Sequence, residues 1–275
     1  MTRLPAVSIG EVSYALGDGA TPLGKLVSAA LGRLAAAASP DFGAVVAATF
    51  SSPERFPPLS VRIASELGLP PETPAFDVQM ACSAYPYAVY LAAKLSADTG
   101  RPALVVDGDA QLRLVDSSDR ATGGIFSDAA TCSVVSCGGE GEGAFAFLSK
   151  ADEALVCGES GPVKMDGMKV FSFVATEVRA FLAGFLSDAG APAPEVFVPH
   201  QANAYMVRQL AKSLGLQDRL IALDPALKNP GSCSIPLAIA KARESGALAT
   251  GAPRRALLAG FGAGFSAAAC LVDLA

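Results

Sequence analysis

The sequence contains no tryptophan, a single histidine and no pair of cysteines spaced as C-x-x-C. Zinc sites and disulfide frameworks need several Cys or His residues at close spacing, so six scattered cysteines beside one histidine argue against both. Lysines and arginines form no basic cluster, and a net charge of −5 disfavours a nucleic-acid partner. We therefore expect neither a metal site nor a contact with nucleic acid.

Long uninterrupted hydrophobic runs are also missing. The most apolar stretch, residues 257–272, is rich in Gly and Ala and too short to span a bilayer. The first residues lack the pattern of a signal peptide, so a cytoplasmic protein without membrane spans is expected. A hydrophobic content of 51% in 275 residues then indicates buried sheets and closely packed helices, enough for one large domain or two fused halves.

Apolar strands alternate with helices, and the pattern runs twice along the chain. Pro86 in the opening of a helix matches Pro236, 150 residues later, and SELGL at Ser65–Leu69 matches KSLGL at Lys212–Leu216. Strands without polar alternation, separated by helices, are typical of mostly parallel sheets covered on both faces. The sequence therefore predicts a layered α-β-α-β-α sandwich of two duplicated halves, residues 1–148 and 149–275.

Hydrophobic periodicity and turn residues give the predicted bounds of these elements. Helices are predicted at residues 23–38, 60–69, 85–95, 170–186, 205–216 and 234–243. Strands are predicted at residues 43–50, 76–78, 102–107, 132–136, 195–198, 221–223 and 255–259.

Cys82 is a candidate nucleophile. It lies between the apolar strand that ends at Val78 and the helical pattern that begins at Tyr85. A thiol at a helix N-terminus is expected to have a lowered pKa, because unpaired N–H groups stabilise the thiolate there. The alternative is a buried cysteine in a turn of small residues. The other five, which lie among Ala, Val, Ser and Gly, are interpreted as small core residues: Cys132, Cys137, Cys157, Cys233 and Cys270.

Three further loops carry residues that suit acyl chemistry. His200 lies between an apolar strand and a helix, where α/β sheets place ligands; a structural histidine is the alternative. Asn229 lies in an Asn-Pro-Gly turn just before a helix, and its alternative role is to form that turn. The glycine-rich turn at residues 260–265 is either a plain hairpin or a source of backbone donors for an oxyanion.

Together these stretches resemble one family. The segments FDVQMACSA, DR-x-T with FSDAAT, MDGMKVFSF, VPHQAN, N-x-x-x-x-S-I-P and FGAGF occur in the order seen in β-ketoacyl-[acyl carrier protein] synthase III enzymes. They cover residues 40–275, and VPHQAN followed by Asn and SIP is specific for this branch of the thiolase-like condensing enzymes. The resemblance implies a thiolase-like five-layered sandwich.

The resemblance also implies a catalytic set of Cys82, His200 and Asn229. The Cys82 thiolate would accept an acyl group from a thioester, and His200 and Asn229 would hold the enolate left by malonyl decarboxylation. The backbone N–H groups of Cys82 and Ala263 would stabilise the developing alkoxide. No cofactor is expected, because the acyl groups would arrive as thioesters of CoA or of an acyl carrier protein.

The chain departs from the family in several places. Before Leu23 it lacks the segment whose Trp and Arg hold the CoA adenine, so delivery by a carrier protein or by small thioesters is favoured. The oxyanion turn has Ala263 where the family has glycine, which is tolerated if φ is negative there. Tyr205 replaces the carrier-docking arginine, which leaves Arg208 and Lys212 as candidate docking residues.

Three functions remain open from the sequence. Decarboxylative Claisen condensation in fatty-acid, polyketide or specialised-metabolite synthesis is favoured, because it requires Asn229 in addition to Cys82. An acyltransferase that passes the acyl group from Cys82 to an alcohol, amine or thiol has less need of Asn229. A non-catalytic partner subunit would be expected to have lost the nucleophile. We expect a homodimer, or a heteromer with a second ketosynthase-like subunit.

Overall fold

The structure, a computed structural model, describes residues 1–35, 41–158, 161–190, 192–248 and 253–275. Its strands are β1 (Thr2–Leu16), β2 (Ala44–Ala48), β3 (Ala75–Val78), β4 (Ala103–Asp109), β5 (Ala129–Ser149), β6 (Leu155–Val156), β7 (Lys164–Met165), β8 (Val196–Pro199), β9 (Arg254–Gly262) and β10 (Ser266–Leu274). Its helices are α1 (Leu23–Leu31), α2 (Leu59–Glu66), α3 (Ala84–Thr99), α4 (Gly167–Phe173), α5 (Arg179–Ala189), α6 (Ala204–Ser213) and α7 (Ser234–Glu244). A π-helical turn, Val174–Val178, joins α4 to α5.

Eight strands form one sheet in the order β3-β2-β4-β5-β1-β10-β9-β8. The outer pairs β2–β3, β2–β4 and β8–β9 are parallel, as predicted, and β1 also pairs with β10 in parallel. Antiparallel pairs lie around β5, which pairs with β4 through its first part and with β10 through its last part. The long strands β1 and β5 therefore lie between the β3-β2-β4 part of the sheet and the β10-β9-β8 part, and they join the two parts.

Three apolar clusters separate the layers. The central cluster contains buried residues of α3 and α7 together with strand residues from both parts of the sheet. A second cluster lies under α1 and α2, and a third under α4, α5 and α6. Helices therefore cover both outer faces and fill the space between the two parts of the sheet, which is the predicted five-layered arrangement.

The order of elements after β2 resembles the order after β8. A single 3₁₀ turn, Ala81–Ser83, precedes α3, and a matching turn, Gly231–Cys233, precedes α7. Both helices carry a proline in their first turn, where a missing N–H costs no helical hydrogen bond. The division of the chain into halves at residue 148 stays a prediction; β5, which contains that position, ends at Ser149.

The strand predicted at residues 221–223 is wrong. Leu220 forms one bridge to Phe197, and the N–H of Ile221 donates to the Phe197 carbonyl at 2.9 Å. The N–H of Leu223 then donates to the Gln201 side chain at 3.0 Å, so the segment leaves the sheet after one bridge. The Gln201 side chain thus accepts from the Leu223 N–H, which a continuing strand would have donated to a neighbouring strand.

Other bounds differ from the prediction. The helix predicted at 23–38 ends at Leu31, because Gly32 and three-residue turns follow it; its last predicted residues, 36–38, lie outside the described residues. The strand predicted at 132–136 runs over Ala129–Ser149, because glycines at positive φ between residues 138 and 141 interrupt its apolar pattern without ending the strand.

Two of the cysteines interpreted as core residues are not in the core. Cys132, Cys233 and Cys270 are buried, whereas Cys137, in the middle of β5, is half-buried and Cys157, directly after β6, is exposed. By length and composition, residues 167–189 form the one described helix that could cross a membrane. One side of this helix packs in the core through residues such as Phe173, Val178 and Leu182, and a core helix passes the same test.

Candidate active site

The turn Ala81–Ser83 presents Cys82 at the end of the sheet. Ala81 has a φ of 43°, a left-handed conformation that a residue with a side chain adopts only when its surroundings enforce it. The Ser83 hydroxyl donates to the Met80 carbonyl at 2.8 Å and lies 2.6 Å from the Ser266 hydroxyl. These contacts tie the turn both to its own strand end and to β10.

Glycines of β9 allow the turn to approach the sheet closely. A Cβ at Gly260 would lie 2.8 Å from the Ser83 Cα, and a Cβ at Gly262 would lie 3.0 Å from the Cys82 Cβ and 3.6 Å from its Sγ. Distances under 3.0 Å are not found for real Cβ atoms, so the site requires glycine at position 260. Cys82 thus lies directly against the end of β9.

His200 follows β8 and is almost completely buried. Its backbone N–H donates to the Ala259 carbonyl at 2.7 Å, which continues the pairing of β8 with β9. Its Nδ1 lies 2.7 Å from the Ser234 hydroxyl, and its ring stands edge-on to Phe261, with centroids 5.5 Å apart. Burial lowers the pKa of His200 to about 3, so the imidazole is neutral at physiological pH.

Asn229 is fixed by its backbone on one side and by its side-chain oxygen on the other. Its N–H donates to the Ile125 carbonyl at 3.0 Å, and its carbonyl accepts from the Gln111 side chain at 2.8 Å. Its Oδ1 accepts from the N–H of Gly231 at 3.0 Å. The side-chain amide nitrogen makes no hydrogen bond with the described residues, so it is left to donate to a bound molecule.

These loops come together. Phe261, against which the His200 ring stands, precedes Gly262, which lies against Cys82. Ser234, the partner of His200, begins α7 directly after the 3₁₀ turn that follows Asn229, and this turn contacts the turn that carries Cys82. The structure therefore places the three predicted polar residues around the ends of β3, β8 and β9.

The expected lowering of the Cys82 pKa is wrong. Only 7% of the residue is exposed, and burial together with the nearby carboxylate of Asp109 raises the pKa of the thiol to about 12. The resting sulfur is therefore a thiol, and its proton has to leave as the sulfur reacts.

Asp109 and Gln111, which the sequence analysis did not single out, hold the loops of the site. Asp109 ends β4 and accepts hydrogen bonds from Ser51 and Ser232, and Gln111 donates to the backbone of Asn229. The only signal in the sequence is that Asp109 ends an apolar strand, a position where α/β proteins place functional groups. The role of Ser234 beside His200 was missed as well, although its motif was recognised.

The glycine-rich turn joins β9 to β10 as predicted. Ala263 is not among the described residues with positive φ, so the alanine fits where the resemblance leads one to expect glycine. Its carbonyl accepts from the Ser266 hydroxyl at 2.6 Å. The proposed oxyanion donors, the N–H groups of Cys82 and Ala263, lie on the two segments that meet at Gly262.

A cavity of about 280 Å³ opens on the side of the molecule that carries the start of α6. Its walls are residues 124–125, the start of α6 and the segment before Asn229, and Arg208 and Lys228 both line it. Arg208 also lines a second, outer cavity of about 720 Å³ with Lys212. Tyr205 is exposed and stacks on Phe171 with ring centroids 6.3 Å apart.

Within the described ranges no group of three or more His, Cys, Asp or Glu residues could hold a metal ion.

Two family models match the sequence. The model of 3-oxoacyl-[acyl-carrier-protein (ACP)] synthase III matches residues 76–153, and the model of its C-terminal part matches residues 191–274. The β-ketoacyl-[acyl-carrier-protein] synthase III of Neisseria gonorrhoeae is 30% identical over 249 residues, 85% of this chain and 77% of the relative. That of Rhodospirillum rubrum is 32% identical over 250 residues, 84% of this chain and 76% of the relative.

Solved structures have the same fold. The 3-oxoacyl-(acyl carrier protein) synthase III of Pseudomonas aeruginosa superposes with a TM-score of 0.87 at 24% identity, covering 98% of each chain. The priming β-ketosynthase of the R1128 polyketide pathway superposes with a TM-score of 0.85 at 25% identity, covering 98% of this chain and 97% of its own. The predicted thiolase-like fold class is confirmed by this likeness.

Proposed function

The chain belongs to the 3-oxoacyl-[acyl-carrier-protein] synthase III family, and we propose that it condenses two acyl thioesters through an acyl-Cys82 intermediate. The observation that carries this proposal is the convergence of Cys82, a neutral His200 and Asn229 around the same strand ends. The relatives are named β-ketoacyl-[acyl-carrier-protein] synthases, and one structural neighbour is a priming ketosynthase of a polyketide pathway. We therefore propose that the product enters fatty-acid or polyketide-type synthesis.

In the first step the Cys82 sulfur attacks the carbonyl carbon of an acyl thioester. The new C–S bond forms, the oxygen becomes an alkoxide, and the N–H groups of Cys82 and Ala263 stabilise it. The bond from this carbon to the donor sulfur then breaks, and the donor leaves as a thiol that carries away the proton lost by Cys82. The raised pKa of Cys82 makes loss of this proton part of the barrier.

In the second step a malonyl thioester loses CO₂, and the bonding electron pair forms an enolate. The Ser234 hydroxyl contacts Nδ1 of His200, and with that hydroxyl as donor the ring proton is on Nε2, which then donates to the enolate oxygen. The N–H of Gly231 occupies Oδ1 of Asn229, so its amide nitrogen is the second donor. The carbanion attacks the acyl-Cys82 carbonyl and forms a C–C bond, and the bond from that carbon to the Cys82 sulfur breaks. The released thiolate takes up a proton from solvent, which restores the resting thiol.

We propose that acyl groups arrive on an acyl carrier protein or on CoA, and that Arg208 and Lys212 contribute to carrier docking. Both side chains are exposed one turn apart on α6, which suits a surface for an acidic partner. No resident cofactor is proposed. We also propose a cytoplasmic location and an oligomer, either a homodimer or a pair with a second ketosynthase-like subunit. The edge strand β3, with an exposed Phe76, supports the oligomer.

Mass spectrometry of the acylated protein tests the proposal. Incubation with an acyl-CoA or an acyl carrier protein is expected to add one acyl mass to the peptide that contains Cys82, and Cys82→Ala is expected to abolish it. Absence of an adduct from every donor would instead support a non-catalytic partner subunit. Light scattering of the purified chain measures the oligomer.

His200→Ala and Asn229→Ala separate condensation from simple acyl transfer. Both variants are expected to lose malonyl decarboxylation by roughly a hundredfold, the effect of one or two lost charge-stabilising donors, while acyl loading falls less. Release of ¹⁴CO₂ from labelled malonyl thioester measures the first reaction, and the adduct mass measures the second. Equal loss of both reactions would contradict the assigned roles. Decarboxylation-free transfer to an alcohol, amine or thiol would identify an acyltransferase.

A further inference from the structure

The proposed mechanism makes no use of Asp107, a fully buried carboxyl group on β4. Neither oxygen of its side chain forms a hydrogen bond with the described residues. Thr131 lies directly opposite on β5, and its buried hydroxyl has no hydrogen-bond partner within the same part of the chain. Side chains that lie opposite each other in an antiparallel pair share one face of the sheet. The two residues therefore form a polar pair inside the protein.

The elements packed on this face bring no positive charge to the carboxyl group. Asp107 shares a face of β4 with Val105, a residue of the central cluster, and its neighbour on β2 is Ala48. Tyr85 of α3 lies nearby but donates its hydroxyl to Ser133 at 3.0 Å. Burial raises the pKa of Tyr85, so this phenol is neutral.

Two thiols also lie near Asp107: Cys132 on β5 and Cys233 in the turn before α7. Burial raises the pKa of both, so both are neutral, and the Cys233 thiol donates to the Ala129 carbonyl at 3.3 Å. Within the described ranges Asp107 forms no ion pair. The charged side chain that acts on it is Asp109, which has the same sign.

Asp107 and Asp109 lie two residues apart and therefore on the same face of β4. Asp109 accepts three hydrogen bonds from residues 49–51 and two from Ser232, whereas Asp107 accepts none from the described residues. Donors stabilise a carboxylate, and a buried charge without donors beside a like charge is strongly disfavoured. Burial and the charge of Asp109 accordingly raise the pKa of Asp107 well above its ordinary value. When the pair holds one proton, that proton is on Asp107.

We propose that Asp107 carries a proton at neutral pH, and that loss of this proton at alkaline pH stops decarboxylation by displacing the turn Gly231–Cys233. This turn contacts β4, and Ser232 within it donates to Asp109, so a second charge on β4 would compete for those donors. Pairing with β2 and β5 holds β4 in place, which leaves the turn as the part that moves. The turn lies between Asn229 and Ser234. The effect on catalysis depends on the proposed function; the proton on Asp107 does not.

Infrared spectroscopy tests the proton directly. At neutral pH the protein is expected to show the C=O stretching band of a protonated carboxyl group, and labelling with ¹³C-aspartate, which shifts the band, assigns it to an aspartate. Asp107→Asn is expected to lose most of the band, and Asp98→Asn, which changes an exposed aspartate of α3, is expected to keep it. Absence of the band from the wild type at neutral pH would overturn the proposal.

Urea unfolding at several pH values gives a second readout. An aspartate of the unfolded chain loses its proton near pH ~4, whereas the folded chain keeps the proton on Asp107, so a rising pH favours the unfolded chain. The unfolding constant of the wild type divided by that of Asp107→Asn is expected to rise by up to about tenfold per pH unit above pH ~4, until the folded protein releases the proton. Asp107→Leu, which also lacks the charge, is expected to give the same trend. A ratio that does not change with pH would contradict the proposal, because the carboxyl group would then ionise as it does in the unfolded chain.

CO₂ release as a function of pH tests the effect on catalysis. Decarboxylation by the wild type is expected to fall at the alkaline pH at which the infrared band disappears, and to stay level there in Asp107→Asn. An equal fall in both proteins would show that Asp107 does not control the reaction. A wild type that has the band but releases no CO₂ at any pH would contradict the proposed function and not the proton on Asp107.

Discussion

Asp109 accepts hydrogen bonds from Ser232 through one carboxylate oxygen, at 2.7 Å from the hydroxyl and 3.2 Å from the backbone N–H. Its other oxygen accepts from the Ser51 hydroxyl at 3.1 Å and from the N–H of Phe50 at 3.0 Å. One buried carboxylate thereby joins the loop after β2 to the turn that follows Asn229. The loop carrying Asn229 thus depends on a residue at the end of β4.

Asp109→Asn is predicted to weaken decarboxylation more than acyl loading. The amide keeps the size of the side chain but replaces one acceptor oxygen by a donor, so one group of donors loses its partner. The free energy of unfolding is expected to fall by about 1–3 kcal/mol. Urea unfolding and CO₂ release measure the two effects, with the exposed Asp98→Asn as the matched control.

The same carboxylate predicts a pH dependence. Burial raises the pKa of Asp109 to about 6, and the hydrogen bonds from Ser232, Phe50 and Ser51 oppose but do not cancel that rise. Above pH 6 the carboxylate is ionised and accepts from both loops; as the pH falls through 6, a proton occupies one oxygen. Decarboxylation is expected to fall there in the wild type and to stay level in Asp109→Asn. A matching fall in the variant would contradict this assignment.

Cys82 is predicted to react slowly with iodoacetamide at neutral pH. Burial and the charge of Asp109 raise the pKa of its thiol to about 12, so the thiolate fraction rises about tenfold with each pH unit up to that value. Alkylation followed by mass spectrometry between pH 6 and 10, with exposed Cys157 in the same chain as the reference, measures the profile. A plateau near pH 7 would show that the site favours the thiolate after all.

Ser234→Ala is predicted to impair His200 without removing it. The hydroxyl lies 2.7 Å from Nδ1, and in the tautomer that the proposed mechanism requires it donates to Nδ1 while the ring proton is on Nε2. Without this contact the buried ring has two tautomers available, and CO₂ release is expected to fall by roughly tenfold. Ser234→Thr, which restores a hydroxyl, is expected to recover part of the rate. Equal rates in all three proteins would mean that another contact sets the tautomer.

The sequence identified the strand ends and turns that carry Cys82, His200 and Asn229, because short motifs and apolar periodicity are local signals. It did not reveal the thiol pKa, since burial of Cys82 and the approach of Asp109 depend on the packing of distant segments. The full length of β5 was hidden for a related reason. Glycines between residues 138 and 141 interrupt its apolar pattern, and only the pairing with β1 and β10 shows that the strand continues.

Gly260→Ala is predicted to displace the nucleophile. A Cβ there would lie 2.8 Å from the Ser83 Cα and 2.9 Å from the Ser83 carbonyl oxygen, and backbone atoms cannot turn away as a flexible side chain can. Overpacking of this kind costs about 1–3 kcal/mol, and the turn of Cys82 has to move away from β9 to relieve it. The free energy of unfolding, measured in urea, and the fraction of Cys82 that carries an acyl adduct are both expected to decrease.

Gly184→Ala is the matched control for this change. Gly184 lies within α5, where an added Cβ meets nothing within 4 Å, so alanine is expected to stabilise the helix by about 0.5–1 kcal/mol. Acylation of Cys82 in this variant should equal that of the wild type. Full acylation of Gly260→Ala would instead mean that the turn reaches its reactive position without lying against β9, and the close approach of Cys82 to Gly262 would then have no part in acyl transfer.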